Sequence, residues 1–468
     1  MAATGTTPDS YRPLEFSWHA RAGVEIAGRG DAELEVTVEG DTTSVLRPGS
    51  PALTATLSRF GAAPGITETE LIAAAGDDVG AIARSHYALR RFIANGMLVC
   101  AVSSGATVLA TVIPRRRDFT LQPRPAVPVD AILSRFAYLR RIGEHLVLAR
   151  PGAACELALH GAEPAAWFAA AAEPIAVAAT GERADERAAL YALAFAHGLL
   201  EPAGEPEPAA RAAWEFHDRL FHHASRWFDD LIVRGGTFRF GGSFESPGAI
   251  RPVHPGEDIE LPAVEPSESE SLAVVMNRRR SRRQMSDRPV PLAAVAELMY
   301  RVARVTGRAE IGPQETIRRP YPSGGSLHEL EFYLAVGACD GLAPGFYHYR
   351  GDAHRLTMLP DAGEAADAML TMTAQGWDQP GHPPQVLVVI ASRLPRIAWK
   401  YAGIAYRATL LNAGVAIGNL YLVATDLGLA CCAVGTSDPG LFARATGCDL
   451  LEETSVAEFG FGVPAEGT

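Results

Sequence analysis

Residues 318–331 read RRPYPSGGSLHELE and lead into the apolar run FYLAV at 332–336. A Pro-Ser-Gly-Gly stretch does not form a helix interior, whereas Ser326, three residues before Glu329, matches a pattern that opens a helix. The stretch therefore predicts a glycine-rich loop that leads into either a helix amino end or an extended strand. Backbone amides freed by glycine can approach an anion or a planar ring system closely.

An arginine cluster precedes this loop. Residues 278–283 read RRRSRR, directly after the apolar helix start at 272–276. Five forked, permanently charged side chains around one serine suit a phosphate group, although the run alone also fits a solvated face or a nucleic-acid patch. Neither G-x-G-x-x-G nor G-x-x-x-x-G-K-[ST] occurs here, so a dinucleotide Rossmann site and a P-loop are both poorly supported.

A buried strand and a long helical stretch follow the loop. The run QVLVVIA at 385–391 predicts a strand buried on both faces, and residues 397–429 predict one helix or two helices joined near 412–414. Lys400 is flanked by Trp399 and Tyr401, which would partly desolvate its ammonium group, as in a general base. The alternative is a surface lysine whose stem lies along apolar neighbours.

The order of these motifs, with GFYHY at 345–349 and GLACCAVG at 428–435, resembles the nitroreductase superfamily over roughly residues 268–464. Within it, the Lys-Tyr pair resembles the azoline dehydrogenases, the streptolysin- and cyanobactin-type oxidases that make thiazoles and oxazoles in ribosomally produced peptides. Plain nitroreductases lack this pair. The resemblance implies an α+β, nitroreductase-like FMN-binding fold, with an antiparallel-rich sheet flanked by helices, in a homodimer that holds two FMN molecules at its interface.

The resemblance also implies roles for individual residues. Lys400 and Tyr401 would be the catalytic pair, one of which removes a proton from the azoline ring while hydride passes to FMN and O2 regenerates the flavin. The FMN-binding residues would be Arg279, Arg280, Ser281 and Arg283 at the phosphate and ribityl chain, Pro322, Ser323, Gly324 and Gly325 along the ring, and Ala433, Val434 and Gly435 at its reactive edge.

Two departures from the family pattern accompany these roles. Asn412 stands where an acidic residue is expected, and the final residues FGFGVPAEGT lack the basic side chains that some nitroreductases place on the phosphate. Arg407 or Arg319 would then complete the phosphate site.

Composition limits the classes of function. Hydrophobic residues make up 48% of the 468 and charged residues 21%, which is typical of globular proteins. The net charge of −12 argues against a protein that coats nucleic acid. Six cysteines without a C-x-x-C pair indicate neither a disulfide framework nor a structural zinc site, so no metal is predicted.

The same sequence predicts a soluble, cytoplasmic protein without a membrane partner. Met1–Ser17 is polar and lacks a secretory pattern. The apolar stretch Val415–Val434 contains Asn419 and Asp426, and it predicts a buried helix rather than a membrane span.

Four segments are predicted along the chain. Pro/Glu/Gly-rich passages at 201–208 and 246–271 predict linkers, with the main boundary near residue 268. Short strands, three helices and a terminal hairpin predict a winged helix-turn-helix module. A weak repeat of the same order of elements, in which FAHGLLE resembles FIANGMLV, predicts a second module, and this repeat is called the echo below. The segments are a winged-helix module at 1–122, a second module with a helical connector at 123–245, a linker at 246–270 and the FMN domain at 271–468.

These modules have two interpretations, peptide binding or packing. Few arginines line the third helix, which disfavours DNA binding, whereas adding a peptide strand to a sheet edge needs backbone pairing rather than positive charge. The sequence thus predicts an FMN-dependent dehydrogenase that acts on an azoline-containing precursor peptide, alongside a cyclodehydratase, with leader recognition by the modules. The alternatives are an NAD(P)H-dependent nitro or quinone reductase of the same fold and a non-catalytic leader-binding scaffold.

Overall fold

The computed structural model describes residues 14–30, 33–39, 41–48, 50–121, 130–176, 181–226, 231, 235–265, 269–435 and 437–466. The chain forms two compact units, Met1–Val233 and Arg234–Thr468. The predicted boundaries at 122/123 and near residue 268 lie outside the described residues. The predicted boundary at 245/246 is wrong, because residues 235–245 belong to the second unit.

The amino-terminal unit is built from short strands and helices. Its strands are β1 (Glu15–Ala20), β2 (Val24–Arg29), β3 (Glu33–Val38), β4 (Asp41–Leu46), β5 (Ile66–Thr67), β6 (Leu98–Ser104), β7 (Thr107–Pro114), β8 (Asp130–Leu133), β9 (Tyr138–Ile142), β10 (His145–Ala149), β11 (Cys155–Leu159), β12 (Ile175–Ala176) and β13 (Leu200–Pro202). Its helices are α1 (Pro51–Ser58), α2 (Glu68–Ala75), α3 (Val79–Ala94), α4 (Ala162–Ala170), α5 (Ala184–Ala196), α6 (Ala209–Ala212) and α7 (Phe216–Ala224).

Three sheets organise this unit. One has the strand order β5-β1-β6-β7-β11-β10-β9, and the others are β2-β3-β4 and β12-β8-β13. Because β7 pairs with β11, both predicted modules contribute strands to one sheet and side chains to one core. The predicted capping box at Thr67 and Glu70 opens α2, as expected.

The two predicted modules share a pairing pattern. Strand β1 lies between β5 and β6, and β8 lies between β12 and β13, with equivalent registers. In the first module, Ser17 pairs with Thr67, Trp18 with Ile66 and Ala20 with Leu98. In the second module, the pairs at the equivalent positions are Asp130 with Ala176, Ala131 with Ile175 and Leu133 with Leu200. The predicted echo therefore extends to strand register, whereas the winged-helix assignment stays a prediction.

The carboxy-terminal unit carries the motifs of the predicted FMN domain. Its strands are β14 (Gly235–Gly236), β15 (Glu257–Glu260), β16 (Val290–Pro291), β17 (Gly307–Ile311), β18 (Gln314–Arg318), β19 (Leu330–Val336), β20 (Cys339–Asp340), β21 (Gly345–Arg350), β22 (Arg355–Met358), β23 (Val386–Ser392), β24 (Tyr401–Ala402), β25 (Ala430–Val434) and β26 (Thr454–Gly462). Its helices are α8 (Leu272–Arg278), α9 (Leu292–Ala303), α10 (Gly363–Gly376), α11 (Leu394–Lys400), α12 (Ala405–Asp426) and α13 (Pro439–Thr446).

An antiparallel seven-stranded sheet, ordered β15-β22-β21-β19-β23-β26-β25, forms the centre of this unit. Helices α9 and α12 pack on one face, and α10 and α13 pack on the other. The predicted antiparallel-rich sheet flanked by helices is confirmed. The predicted linker at 246–270 is wrong in part, because its residues 257–260 form the edge strand β15 and pair with β22.

Helix α12 is the longest element of the described chain. Its length and composition would allow it to cross a membrane, yet it packs Ala413, Ala416 and Leu420 into the core. The predicted break near 412–414 is wrong, since α11 and α12 are separated by the extended residues 401–402 and by Gly403, whose φ is +74°. A positive φ favours glycine and ends the preceding helix.

Candidate active site

The predicted catalytic pair and the glycine-rich loop meet in the carboxy-terminal unit. Lys400 is the last residue of α11, and Tyr401 begins β24. Gly325 has a φ of +65°, and a Cβ atom built on it would lie 2.5 Å from Tyr401 Oη and 2.8 Å from Lys400 Nζ. Any other residue at position 325 would therefore be strained in its backbone and would collide with both polar head groups.

The loop leads into an extended strand rather than into a helix. A single 3-10 turn at Gly324–Ser326 is followed by β19, and Ser326 has a φ of +57°. The predicted capping pair of Ser326 and Glu329 is wrong. The Glu329 carboxylate instead accepts hydrogen bonds from Asn412 Nδ2, at 2.9 and 3.2 Å, and from Thr409 Oγ1, at 3.1 Å.

Asn412 also holds the loop directly. Its Oδ1 accepts a hydrogen bond from the Gly324 N–H at 3.1 Å, and its Nδ2 lies 3.1 Å from Ser323 Oγ. Ser323 Oγ accepts from the His328 N–H at 3.0 Å and lies 3.4 Å from a Glu329 oxygen. The amide that replaces the expected acid is thus a fixed part of the loop's hydrogen-bond network.

A segment outside the predicted FMN domain lies against the predicted catalytic pair. Gly236 pairs with Tyr401 in the β14–β24 ribbon, and the Phe238 N–H donates to the Lys400 carbonyl at 3.1 Å. The Phe238 ring centroid lies 5.9 Å from Lys400 Nζ and 5.8 Å from the Trp399 ring. We call residues 235–244 the strap, and its Phe238 ring covers one side of the Lys400 head group.

Burial raises the pKa of the Tyr401 phenol above its ordinary value. The charged phenolate loses solvation when the ring is covered, so the neutral form is favoured. Tyr401 therefore keeps its proton at neutral pH and can donate a hydrogen bond towards a group bound at the loop.

The arginine cluster lies beside the last strand of the sheet. The Arg282 N–H donates to the Cys431 carbonyl at 2.9 Å, and Ser281 Oγ lies 3.1 Å from Tyr421 Oη. Tyr421 Oη also accepts from the Ala433 N–H at 2.9 Å, and its ring lies 5.4 Å from the Arg279 guanidinium. Tyr421 on α12 thus joins two predicted binding segments, at 279–283 and 433–435.

The exposed guanidinium groups of this cluster are not neutralised by acids within the described chain. In residues 235–265 and 269–435, Arg279, Arg280 and Arg283 form no ion pair, whereas Arg278 pairs with Glu270. A run of arginines kept free of carboxylates retains its charge for an external anion.

The structure separates the two arginines expected to complete the phosphate site. Arg407 is in the first turn of α12, fourteen residues before Tyr421, which is about 21 Å along a helix axis. Arg319 is buried and binds the Ala303 carbonyl, with Glu331 Oε2 3.8 Å from its Nη2. Arg319 is thus committed to the fold, and a role for Arg407 at the phosphate stays a prediction.

Three features of the site are not predicted from the sequence: the strap, the Glu329 carboxylate that accepts hydrogen bonds behind the loop, and Tyr421, which links the two predicted binding segments. A paired strand of two glycines carries no periodic signal, which is why the sequence predicts a connector where the strap lies. Tyr421 is hidden within an apolar helical run. The one available signal is the polar Asn412 on the buried face of α12, since a buried amide requires partners.

Two protein-family models match the chain. Residues 276–463 match the nitroreductase family, and residues 131–228 match the cyanobactin oxidase ThcOx. The chain is 25% identical to Putative nitroreductase MJ1384 of Methanocaldococcus jannaschii over 178 residues, which cover 38% of this chain and 83% of that protein. It is 30% identical to the trifolitoxin-processing protein TfxB of Rhizobium leguminosarum bv. trifolii over 117 residues, which cover 25% and 31%.

Among solved structures, the Escherichia coli microcin synthetase McbBCD complex with truncated pro-MccB17 is similar at a TM-score of 0.34 and 18% identity, covering 50% of this chain and 88% of that one. The chain is thus similar to the nitroreductase superfamily over residues 276–463, which hold all strands of the flanked antiparallel sheet except β15. Its resemblance to the azoline dehydrogenases of that superfamily, expected from the Lys-Tyr pair, is confirmed by the separate match at 131–228 and by TfxB.

Proposed function

We propose that this protein is an FMN-dependent dehydrogenase that oxidises thiazolines or oxazolines in a ribosomally made peptide to thiazoles or oxazoles, with O2 as the final acceptor. The observation that carries the proposal is the convergence of Lys400 Nζ and Tyr401 Oη on Gly325. Two proton-transfer groups at a glycine-rich loop fit a reaction that removes a proton from a carbon acid.

The residues present fit FMN. A flat ring would lie against the loop backbone, where Gly324 and Gly325 carry no side chains, and it would have to displace the Lys400 and Tyr401 head groups, which stand 2.8 and 2.5 Å from the Cβ position of Gly325. Arg279, Arg280 and Arg283, which form no ion pair within the described chain, offer forked donors for a phosphate. Ser281 would bind the ribityl chain or the phosphate, and the backbone at 433–435 would face the ring edge. When bound, FMN supplies the two-electron acceptor that aromatisation requires.

The side chains divide the proton chemistry between them. Azoline oxidation breaks two C–H bonds and forms one C=C bond, so one hydrogen leaves as a proton and the other leaves with both electrons. Because Tyr401 keeps its proton at neutral pH, we assign removal of the proton at the former Cα to Lys400 Nζ. Tyr401 Oη then orients the ring by donating a hydrogen bond, and the Phe238 ring covers one side of Lys400, with its centroid 5.9 Å from Nζ.

The proposed partners are the azoline-containing precursor peptide, a cyclodehydratase and a second copy of this chain. Within the amino-terminal unit, a groove of about 1010 Å³ is lined by Phe16, Trp18, Thr67, Glu70 and Leu121, among others. It runs along β1 and β5, where an extended peptide could add to the sheet. The groove supports leader binding by this unit.

The test begins with the visible spectrum of the purified protein. We expect a yellow protein whose flavin band bleaches when it is mixed anaerobically with a thiazoline peptide and recovers when air is admitted. Peptides with and without their leader segment separate the contribution of the amino-terminal unit.

Two outcomes would overturn the proposal. A yellow protein that ignores the peptide but bleaches with NADH or NADPH would be a reductase, the candidate that the similarity to Putative nitroreductase MJ1384 favours. A colourless protein that cannot be reconstituted with FMN would be a non-catalytic scaffold.

A further inference from the structure

A buried carboxylate lies behind the glycine-rich loop and is not one of the proposed catalytic groups. Glu329 is fully buried, and its oxygens are bound by Asn412 and Thr409. An acid in such a position is tolerated only when donors surround it. Both donors come from the buried face of α12, so this helix supplies the carboxylate's hydrogen bonds.

Asn412 uses both ends of its amide. Its Nδ2 donates to Glu329, and its Oδ1 accepts from the Gly324 N–H. Only an amide provides a donor and an acceptor on one short planar group, and an aspartate at this position would provide acceptors alone. The acid on the loop side and the amide on the helix side are therefore complementary.

The network ends at the backbone that the flavin ring would touch. Ser323 Oγ is linked to Asn412 and Glu329, Gly324 donates its N–H to Asn412, and the next residue, Gly325, faces Lys400 and Tyr401. Since Gly325 has no side chain to hold it, its position depends on its neighbours.

We propose that Asn412 and Glu329 are positioning residues that fix the Ser323–Gly325 loop in its flavin-binding conformation and set its distance from Lys400 and Tyr401. This inference rests on the proposed function, because it assumes that FMN lies on the loop. Neither side chain takes part in proton transfer.

The test exchanges the two groups. In Asn412→Asp, two carboxylates face each other, and in Glu329→Gln, the Asn412 Nδ2 group loses one of the two charged oxygens to which it donates and meets an amide NH2 in its place. We expect each single variant to weaken FMN binding by about tenfold or more, since a buried hydrogen bond to a charged group is lost.

The double variant Glu329→Gln/Asn412→Asp restores the complementarity with the groups reversed. The new amide at position 329 can donate to the new carboxylate at position 412, and that carboxylate can still accept from the Gly324 N–H. We therefore expect the double variant to bind FMN with an affinity within about threefold of the wild type, since the lost hydrogen bond is regained.

The readouts are the dissociation constant of FMN, measured by fluorescence titration, the Tm of the flavin-free protein, and kcat separated from KM. Thr373→Val is the matched control, because this buried hydroxyl donates only to the Met369 carbonyl of its own helix. It should leave FMN affinity unchanged.

The outcomes separate this inference from the proposed function. Single variants that bind FMN like the wild type, or a double variant no better than the singles in affinity, would overturn the positioning role. A wild-type protein that binds FMN but does not oxidise azolines would overturn the proposed function alone. A wild-type protein that binds no FMN would overturn both.

Discussion

Lys400 is the residue on which the proposed chemistry depends most directly. For Lys400→Ala, we expect FMN to remain bound and azole formation to fall by 10²- to 10⁴-fold, about the range of a lost general base. Flavin absorbance and the rate of azole formation, followed by mass spectrometry of the peptide, measure the two effects. Turnover equal to that of the wild type would refute the assignment.

A substitution at Gly325 tests whether the proposed catalytic pair and the loop share one space. Gly325→Ala places a Cβ atom 2.5 Å from Tyr401 Oη, so we expect large losses of both FMN affinity and turnover. Gly312→Ala is the matched control, because Gly312 has nearly the same φ, +64°, with open space around it. Both substitutions cost about 1 kcal/mol in backbone strain, but only Gly325→Ala should lose activity. Equal activity in the two would contradict the proposed geometry.

The residues of the site could be predicted from the sequence to different degrees. Lys400, Tyr401 and Gly325 stand in short contiguous motifs, so a family resemblance identifies them without a fold. Glu329 and Asn412 are 83 positions apart, and only packing of α12 on the loop shows that they meet. Arg319 sits in an arginine-rich motif but is buried, and burial is not visible in a motif.

At the scale of elements, the strap provides a direct test of Lys400's surroundings. Phe238→Ala removes the ring 5.9 Å from Lys400 Nζ but keeps the backbone hydrogen bond to the Lys400 carbonyl. We expect turnover to fall by up to about a hundredfold, because the Lys400 side chain loses a neighbour that fixes its position, with FMN occupancy unchanged. Phe240→Ala is the control, since this ring packs on Phe244. An equal effect of both changes would indicate general loosening of the strap.

Strand β26 carries a carboxyl group whose ionisation is linked to stability. Glu458 is buried beside a cavity of about 10 Å³ that Met369 and Met372 also line, and burial raises its pKa to about 7. The folded state therefore binds a proton that the unfolded state releases above about pH 4.5, and stability falls as pH rises from about 4.5 to 7.

Glu458→Gln should remove this dependence. We expect the variant to gain on the order of 3 kcal/mol in free energy of unfolding at pH 8 and to match the wild type near pH 4.5. Urea unfolding at both pH values measures the difference. A gain of the same size at both pH values would show that ionisation of Glu458 is not the cause.

The element pattern explains which parts of the fold could be predicted. Buried strands such as β23 and the capping box of α2 have strong local signals, and both are confirmed. Strand β15 lies in a Pro/Glu/Gly-rich passage and has the sequence EDIE, so its place in the sheet comes from pairing with β22 rather than from hydrophobicity. The break between α11 and α12 likewise depends on the strap, which lies some 165 residues earlier.

At the scale of the whole molecule, the outer face of α12 bears on the oligomeric state. Tyr406, Leu410, Leu411 and Val415 are exposed on it, with Leu411 at 59%. An apolar stripe of this kind is typical of an interface. For Leu411→Asp, we expect sedimentation to show a 49.7 kDa monomer where the wild type sediments at about twice that mass. Leu451→Asp is the control, because Leu451 is 81% exposed in the segment that follows α13. A wild-type protein that is monomeric at all concentrations would refute the dimer.

The strap has a consequence for how such proteins can exchange parts during evolution. The nitroreductase match begins at residue 276. Tyr401, which lies within the match, pairs with Gly236, which lies forty residues before its start. A recombination event that joined a foreign amino-terminal unit at residue 276 would deprive Lys400 of its aromatic cover and β24 of its partner. Crossovers that preserve this cover must therefore fall before Gly235, and we expect the strap to be inherited together with the nitroreductase-like domain.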